Sequence, residues 1–139
     1  MKKIKNKSKT NKKILFFVIT VNLTFFILFY NYSLHPAYLS YLDSCNPDKF
    51  KEKGINFVRV GSASLQPNGT ITVEITKSGN EQIDTRTEKH EFIHFAQFKR
   101  LNHIAGCNTN THKINQYISE VEAYTYQYLP DKLFDIIYR

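Results

Sequence analysis

The stretch KHEFIHFAQ, Lys89–Gln97, decides how the chain is interpreted, because two histidines four positions apart bracket a glutamate. Positions i and i+4 lie one turn apart on the same face of an α-helix, so His90 and His94 can point at one metal ion. Zinc hydrolases use this H-E-x-x-H spacing to hold Zn²⁺ through both imidazoles, with the intervening carboxylate as general base. The pattern therefore predicts Zn²⁺ as cofactor and Glu91 as the catalytic residue. Gln97, one turn beyond His94, is placed to orient a ligand or a substrate.

The local context favours a helix. Thr85 and Glu88 have the spacing of a capping box, which predicts a helix over residues 86–101. The alternative is an ordinary helix whose histidines make surface contacts.

The segment before this helix predicts β structure. TITVEIT, residues 70–76, alternates apolar and polar side chains, and QPNG just before it is a strong turn signal. A first strand is predicted around Phe57, Val58 and Val60, which gives a two- or three-stranded antiparallel sheet. An edge strand at TITVEI could pair with an extended peptide.

A third metal ligand is expected on a second helix, predicted over residues 113–129 and stopped by Pro130, before a short third helix over residues 131–139. Within YISEVEAYTYQY, Glu120 and Glu122 are both candidates. We prefer Glu120 because it lies on the more aromatic flank of the helix, but Glu122 stays open.

Together, HEFIH and EVEAY resemble the gluzincin-type zinc metallopeptidases, including membrane-associated prenyl-protein endopeptidases. The HFAQ ending is similar to small bacterial H-E-x-x-H-x-x-Q proteins. Carried over by position, the resemblance implies that His90, His94 and Glu120 bind zinc and that Glu91 transfers the proton. Many gluzincins have an aspartate four residues after the ligand glutamate, where this chain has Tyr124, so the support of His90 is unassigned.

If the protein is a peptidase, its transition state needs a hydrogen-bond donor to the oxyanion. Tyr124, Tyr117 and His112 are candidates for that donor. Packing in the core is the alternative for each tyrosine.

The charge distribution separates the N-terminus from the rest of the chain. The net charge of +7 is carried by seven lysines before Ile14, and the remainder is balanced, with 12 basic and 12 acidic residues. A neutral body gives no electrostatic footprint for nucleic acid. The uncharged run at residues 14–30 predicts a single-pass membrane anchor, with the lysine-rich tail, residues 1–13, in the cytoplasm and the C-terminal domain outside. The alternatives are a cleavable signal peptide and a buried core helix.

Only two cysteines, Cys45 and Cys107, are present. In an extracytoplasmic domain they can form a disulfide, with two unpaired thiols as the alternative. The predicted organisation is a linker over residues 31–54 and an α+β, zincin-like metallopeptidase domain over residues 55–139, with a short antiparallel sheet and two to three helices.

The predicted function is that of a membrane-anchored zinc metallopeptidase acting on a peptide or protein substrate. A catalytically silent module that binds a metal or a partner is the alternative.

Overall fold

The computed structural model describes residues 2–52, 54, 60–101 and 107–139. In these residues the protein is mostly helical, with a two-stranded antiparallel sheet. The elements in chain order are α1 (Lys2–Phe29), a π-helical turn (Tyr30–Leu34), α2 (His35–Cys45), α3 (Pro47–Glu52), β1 (Gly61–Leu65), β2 (Ile71–Ile75), α4 (Glu81–Leu101), α5 (Asn110–Tyr126) and α6 (Asp131–Tyr138).

The first helix is long and apolar enough to span a membrane, and its apolar window is not buried by the rest of the chain. Phe16 and Phe25, for example, are 73% and 70% exposed. The polar side chains within it, Thr20, Asn22 and Thr24, donate hydrogen bonds to carbonyl oxygens four residues earlier. This bonding satisfies them without water, as a bilayer requires. The exposure does not fit a buried core helix.

The segment predicted as a linker, residues 31–54, is largely helical. The π-helical turn and α2 continue α1 without a break, and Pro36 lies in the first turn of α2, directly after the π-helical turn. Ala37 and Leu42 are buried as α2 packs against α5. The structure also pairs Cys45 with Cys107 in a disulfide, with their Cα atoms 5.2 Å apart.

The sheet is a hairpin of β1 and β2, in which Gly61 pairs with Ile75 and Leu65 with Ile71. Its turn uses Gly69 at φ 83°, a left-handed conformation that glycine adopts without strain. The strand β2 lies inside the predicted TITVEIT segment. The other strand begins after the run predicted around residues 57–60, of which positions 57 and 58 lie outside the described residues.

Helix α4 begins earlier than predicted. The side-chain oxygen of Asn80 accepts hydrogen bonds from the backbone N–H groups of Gln82 and Ile83, so Asn80 caps the helix, and Thr85 lies inside it. Similarly, α5 begins at Asn110 because Thr109 accepts a hydrogen bond from the backbone of His112.

The core lies where α4, α5 and α6 meet. Ile93, Ala123 and Phe134 are almost fully buried there, one from each helix, with Phe92 and Tyr138 packed around them. Since Ile93 lies between His90 and His94 in sequence, its burial in this core fixes the rotation of α4. The two histidines then face α5 and β1.

Candidate metal centre

His90, His94 and Glu120 form a compact cluster between α4 and α5. The Nε2 atoms of the two histidines are 3.1 Å apart. His90 Nε2 lies 3.5 Å from Glu120 Oε2, and His94 Nε2 lies 3.7 Å from Glu120 Oε1. Ligand atoms about 2.0–2.1 Å from a tetrahedral zinc ion are about 3.3 Å from one another. The three separations therefore bracket the spacing of a tetrahedral site, and this cluster could hold a metal ion.

The structure distinguishes the two candidate glutamates. Glu120 is 4% exposed and faces the histidines. Glu122 accepts hydrogen bonds from Gln97 Nε2 at 2.9 Å, Tyr138 at 3.0 Å and Arg100 at 3.2 Å. Glu122 thus lies behind the cluster.

Gln97 determines which nitrogen of His94 carries a proton. Its Nε2 donates to the backbone oxygen of Ser119 and to Glu122, so its Oε1 faces His94 Nδ1 at 2.8 Å. That oxygen can only accept, and His94 Nδ1 must therefore donate. Neutral His94 then presents the lone pair of Nε2 to the cluster, which is the state that binds a metal.

The charge of Glu120 is the main electrostatic feature of the site. Burial alone would raise the pKa of Glu120, but the close approach and the charge of His90 and His94 outweigh it and hold that pKa far below its usual range. Burial alone would lower the pKa of His94, but Glu120, Glu91 and Gln97 reverse this effect and raise it. The buried carboxylate is therefore ionised and needs a cation, either a proton on a histidine or a metal.

The hydrogen bonds of Glu120 support the same conclusion. Gln116 donates to its Oε1 at 3.1 Å, but its Oε2 is buried and has no hydrogen-bond partner in the part of the chain that the structure describes. An ionised oxygen in that state is costly unless a cation is close by. The residues present therefore fit a metal ion.

Glu91 lies against β1. A Cβ atom at position 61 would fall 2.7 Å from Glu91 Oε1 and 2.8 Å from Thr87 Cγ2, so any larger residue there would force these side chains to move. This approach of strand to helix leaves Glu91 5% exposed beside the cluster.

A cleft of about 230 Å³ opens over the cluster. Its walls come from three elements besides α4, namely α2, β1 and α5, and they include Ser40, Ser44, Gly61, Ala63, Gln116 and Tyr124. The described lining does not include His112, so the structure does not bring this candidate oxyanion donor to the cleft. Tyr124 does line it, and its ring packs edge-on against His90 with centroids 4.5 Å apart.

His90 lacks the support that His94 has. Its Nδ1 is buried and has no hydrogen-bond partner among the described residues. Metal-binding histidines usually donate this second N–H to an acceptor that fixes the ring. Here the Tyr124 ring packs against the imidazole and restricts it.

Sequence reasoning missed three contributors to the site. Gly61, Gln116 and α2 carry no motif, and only the glycine, directly after the strand predicted around Phe57, Val58 and Val60, offered any signal. Comparisons of the chain with family models, curated proteins and solved structures found no match.

Proposed function

We propose that the protein is a membrane-anchored, zinc-dependent metallopeptidase with a zincin-like domain. The observation that carries this proposal is the convergence of His90, His94 and Glu120 on separations of 3.1–3.7 Å, with a buried carboxylate oxygen left unsatisfied. The resemblance of HEFIH and EVEAY to the gluzincin-type peptidases supports it. Membership of the small H-E-x-x-H-x-x-Q group is part of the same proposal.

In this mechanism His90, His94 and Glu120 would hold the ion, which would act as a Lewis acid and lower the pKa of a water. Glu91 accepts the proton of the attacking water and delivers it to the leaving amine. Its confinement against Gly61 keeps the carboxylate beside the cluster. Gln97 and Glu122 hold the ring of His94 in the orientation and tautomer that the site needs.

The strand β1 offers a binding edge for an extended peptide. Val60 O accepts from Thr76 N, and Gln66 N donates to Thr70 O, so the even-numbered residues of β1 bond to β2. In an antiparallel ladder the residues between them, Gly61 and Ala63, turn their backbone polar groups the other way. Both line the cleft. The peptide-pairing edge is thus assigned to β1, where the sequence suggested β2.

The cellular arrangement is part of the proposal. The apolar part of α1 crosses the membrane, the lysines before it stay in the cytoplasm, and the catalytic domain lies outside. The Cys45–Cys107 disulfide fits an oxidising compartment.

The alternative is a metal-binding module without catalysis. It is favoured by the missing acceptor for His90 Nδ1, which weakens control of one ligand. The Glu91→Gln variant separates the two functions. If the protein is a peptidase, wild type hydrolyses members of a peptide library and the variant binds zinc equally well but hydrolyses at least about 10²-fold more slowly. If zinc-loaded wild type hydrolyses no peptide, the peptidase is excluded and the metal-binding module without catalysis remains.

A further inference from the structure

The helix that carries the anchor also forms a wall of the candidate active site. From Lys2 to Cys45 the chain is helical throughout, and two serines of α2, Ser40 and Ser44, line the cleft. These serines lie ten and fourteen positions after Tyr30, the last residue of the predicted span. At 1.5 Å per residue the cleft is about 15–21 Å along the helix from the membrane surface.

The rest of the domain is attached to this helix along its length. Near the membrane end, Tyr32 packs edge-on against Tyr128 with centroids 5.8 Å apart. In the middle, Tyr41 packs against Tyr117 at 6.0 Å. At the far end, the disulfide joins Cys45 to the segment that precedes α5. These three attachments hold the described part of the domain at a set position along the helix, and therefore set the height of the cleft.

We infer that the substrate is a segment of a second chain anchored in the same membrane, cut at a bond held about 15–20 Å above the lipid. This inference rests on the proposed function and adds the class of substrate. A cleft at fixed height favours such a chain because co-anchoring raises the effective concentration of the segment, to about the millimolar range for a short flexible tether. The cleft also lies outside the membrane, so the bond that is cut is extramembrane.

The height of the cleft above the membrane predicts how long the spacer between the membrane and the scissile bond must be. An extended chain advances about 3.3–3.6 Å per residue, so about five or six residues must separate the membrane surface from the scissile bond. A shorter spacer cannot reach the cluster, whereas a longer flexible spacer reaches it with a slowly decreasing effective concentration.

The test uses the full chain in liposomes, loaded with zinc, and one peptide that wild type hydrolyses in free form. The same peptide is attached to a transmembrane anchor through spacers of about two, five, ten and twenty residues. At equal total peptide, we expect five- and ten-residue spacers to be cut at least about 10²-fold faster than the free peptide, and the two-residue spacer to be cut no faster than the free peptide. Equal rates for free and anchored peptides, or rates independent of the spacer, would overturn the inference.

A matched variant tests the height itself. Insertion of Glu-Ala-Ala-Ala-Lys-Glu-Ala between Phe29 and Tyr30 adds about two helical turns, or about 10 Å, and preserves the packing of α2 on α5. The shortest spacer that permits cleavage should then increase by about three residues, while hydrolysis of the free peptide stays at the wild-type rate. An unchanged minimum spacer would contradict the inference.

Binding provides a second readout. Zinc-loaded Glu91→Gln should crosslink the anchored peptides with the same dependence on spacer length. Cleavage of free and anchored peptide at one rate removes only the class of substrate, whereas no hydrolysis of any peptide removes the proposed function and this inference with it.

Discussion

Gly61 and Glu91 are in such close contact that a single methyl group at position 61 would lie 2.7 Å from the carboxylate. The strand that offers its edge to the cleft therefore also confines the proposed general base. This contact predicts that Gly61→Ala displaces Glu91 from the cluster while leaving His90, His94 and Glu120 in place. Misplacement of a reacting group by about 1 Å can cost about 10²-fold. We expect kcat to fall about 10–100-fold with zinc stoichiometry unchanged, measured by peptide hydrolysis and metal analysis.

Ser64→Ala is the matched control, because Ser64 is exposed on the same strand and its hydroxyl bonds Thr72 rather than the site. It should retain activity. Wild-type kcat in Gly61→Ala would show that the strand does not position Glu91.

A second prediction concerns the support of His94. Gln97→Ala removes the acceptor of His94 Nδ1 and leaves Glu122 without one of its donors. Loss of such a partner typically weakens metal affinity about 10–100-fold. Competition with a zinc chelator measures this change directly, and Gln82→Ala, at an exposed position of the same helix, is the control. Equal zinc affinity in wild type and Gln97→Ala would show that the hydrogen bonds from His94 to Gln97 and from Gln97 to Glu122 do not support metal binding.

The disulfide gives a prediction about stability. Cys45 and Cys107 are separated by 62 positions, and closing a loop of that length is worth about 4 kcal/mol in the chain-entropy account. Replacing both by serine should lower the free energy of unfolding by about that amount, measured by denaturant titration of the protein in detergent. The same decrease should appear in wild type after reduction. A loss below about 1 kcal/mol would mean that packing of α2 on α5 suffices without the bond.

Glu122 predicts a pH dependence of stability. Burial alone would raise the pKa of Glu122, but hydrogen bonds from Gln97, Tyr138 and Arg100 outweigh it and lower that pKa. A carboxylate with a lowered folded-state pKa contributes stability above its ordinary pKa of 4.5, and this contribution is lost as the pH falls through the folded value. Glu122→Gln should therefore melt at a lower temperature than wild type at pH 7. This difference in melting temperature should become smaller below about pH 4.5. A difference that stays constant from pH 7 to pH 3 would contradict this account.

The sequence predicts most of the candidate metal centre because much of its geometry is local. His90 and His94 are one helical turn apart whatever the tertiary fold. The inward face of α5 carries Ser119, Glu120 and Ala123, whereas Ile114 and Ile118 are exposed, so the apolar strip of this helix does not by itself place Glu120. A helical wheel does not distinguish Glu120 from Glu122, since it shows which side of the helix each residue lies on but not which residues it contacts. The hydrogen bonds of Glu122 to Gln97 and Tyr138 depend on how α6 packs.

The parts that sequence could not provide depend on long-range packing. Residues 31–54 have Pro36 and Pro47 and read as a linker, yet α2 forms because its buried side chains pack on α5 and because Cys45 is bonded to Cys107. Likewise, nothing local indicates that Gly61 meets Glu91, a contact between residues thirty positions apart.

Zinc stoichiometry tests the central claim most directly. Full-length wild type, freed of metal and then equilibrated with zinc, should retain one ion per chain after gel filtration. His94→Ala and Glu120→Gln should each retain close to none, while Glu74→Gln, an exposed glutamate on β2, should match wild type. A wild type that retains no zinc, or a Glu120→Gln variant that retains a full equivalent at unchanged affinity, would contradict the proposed site.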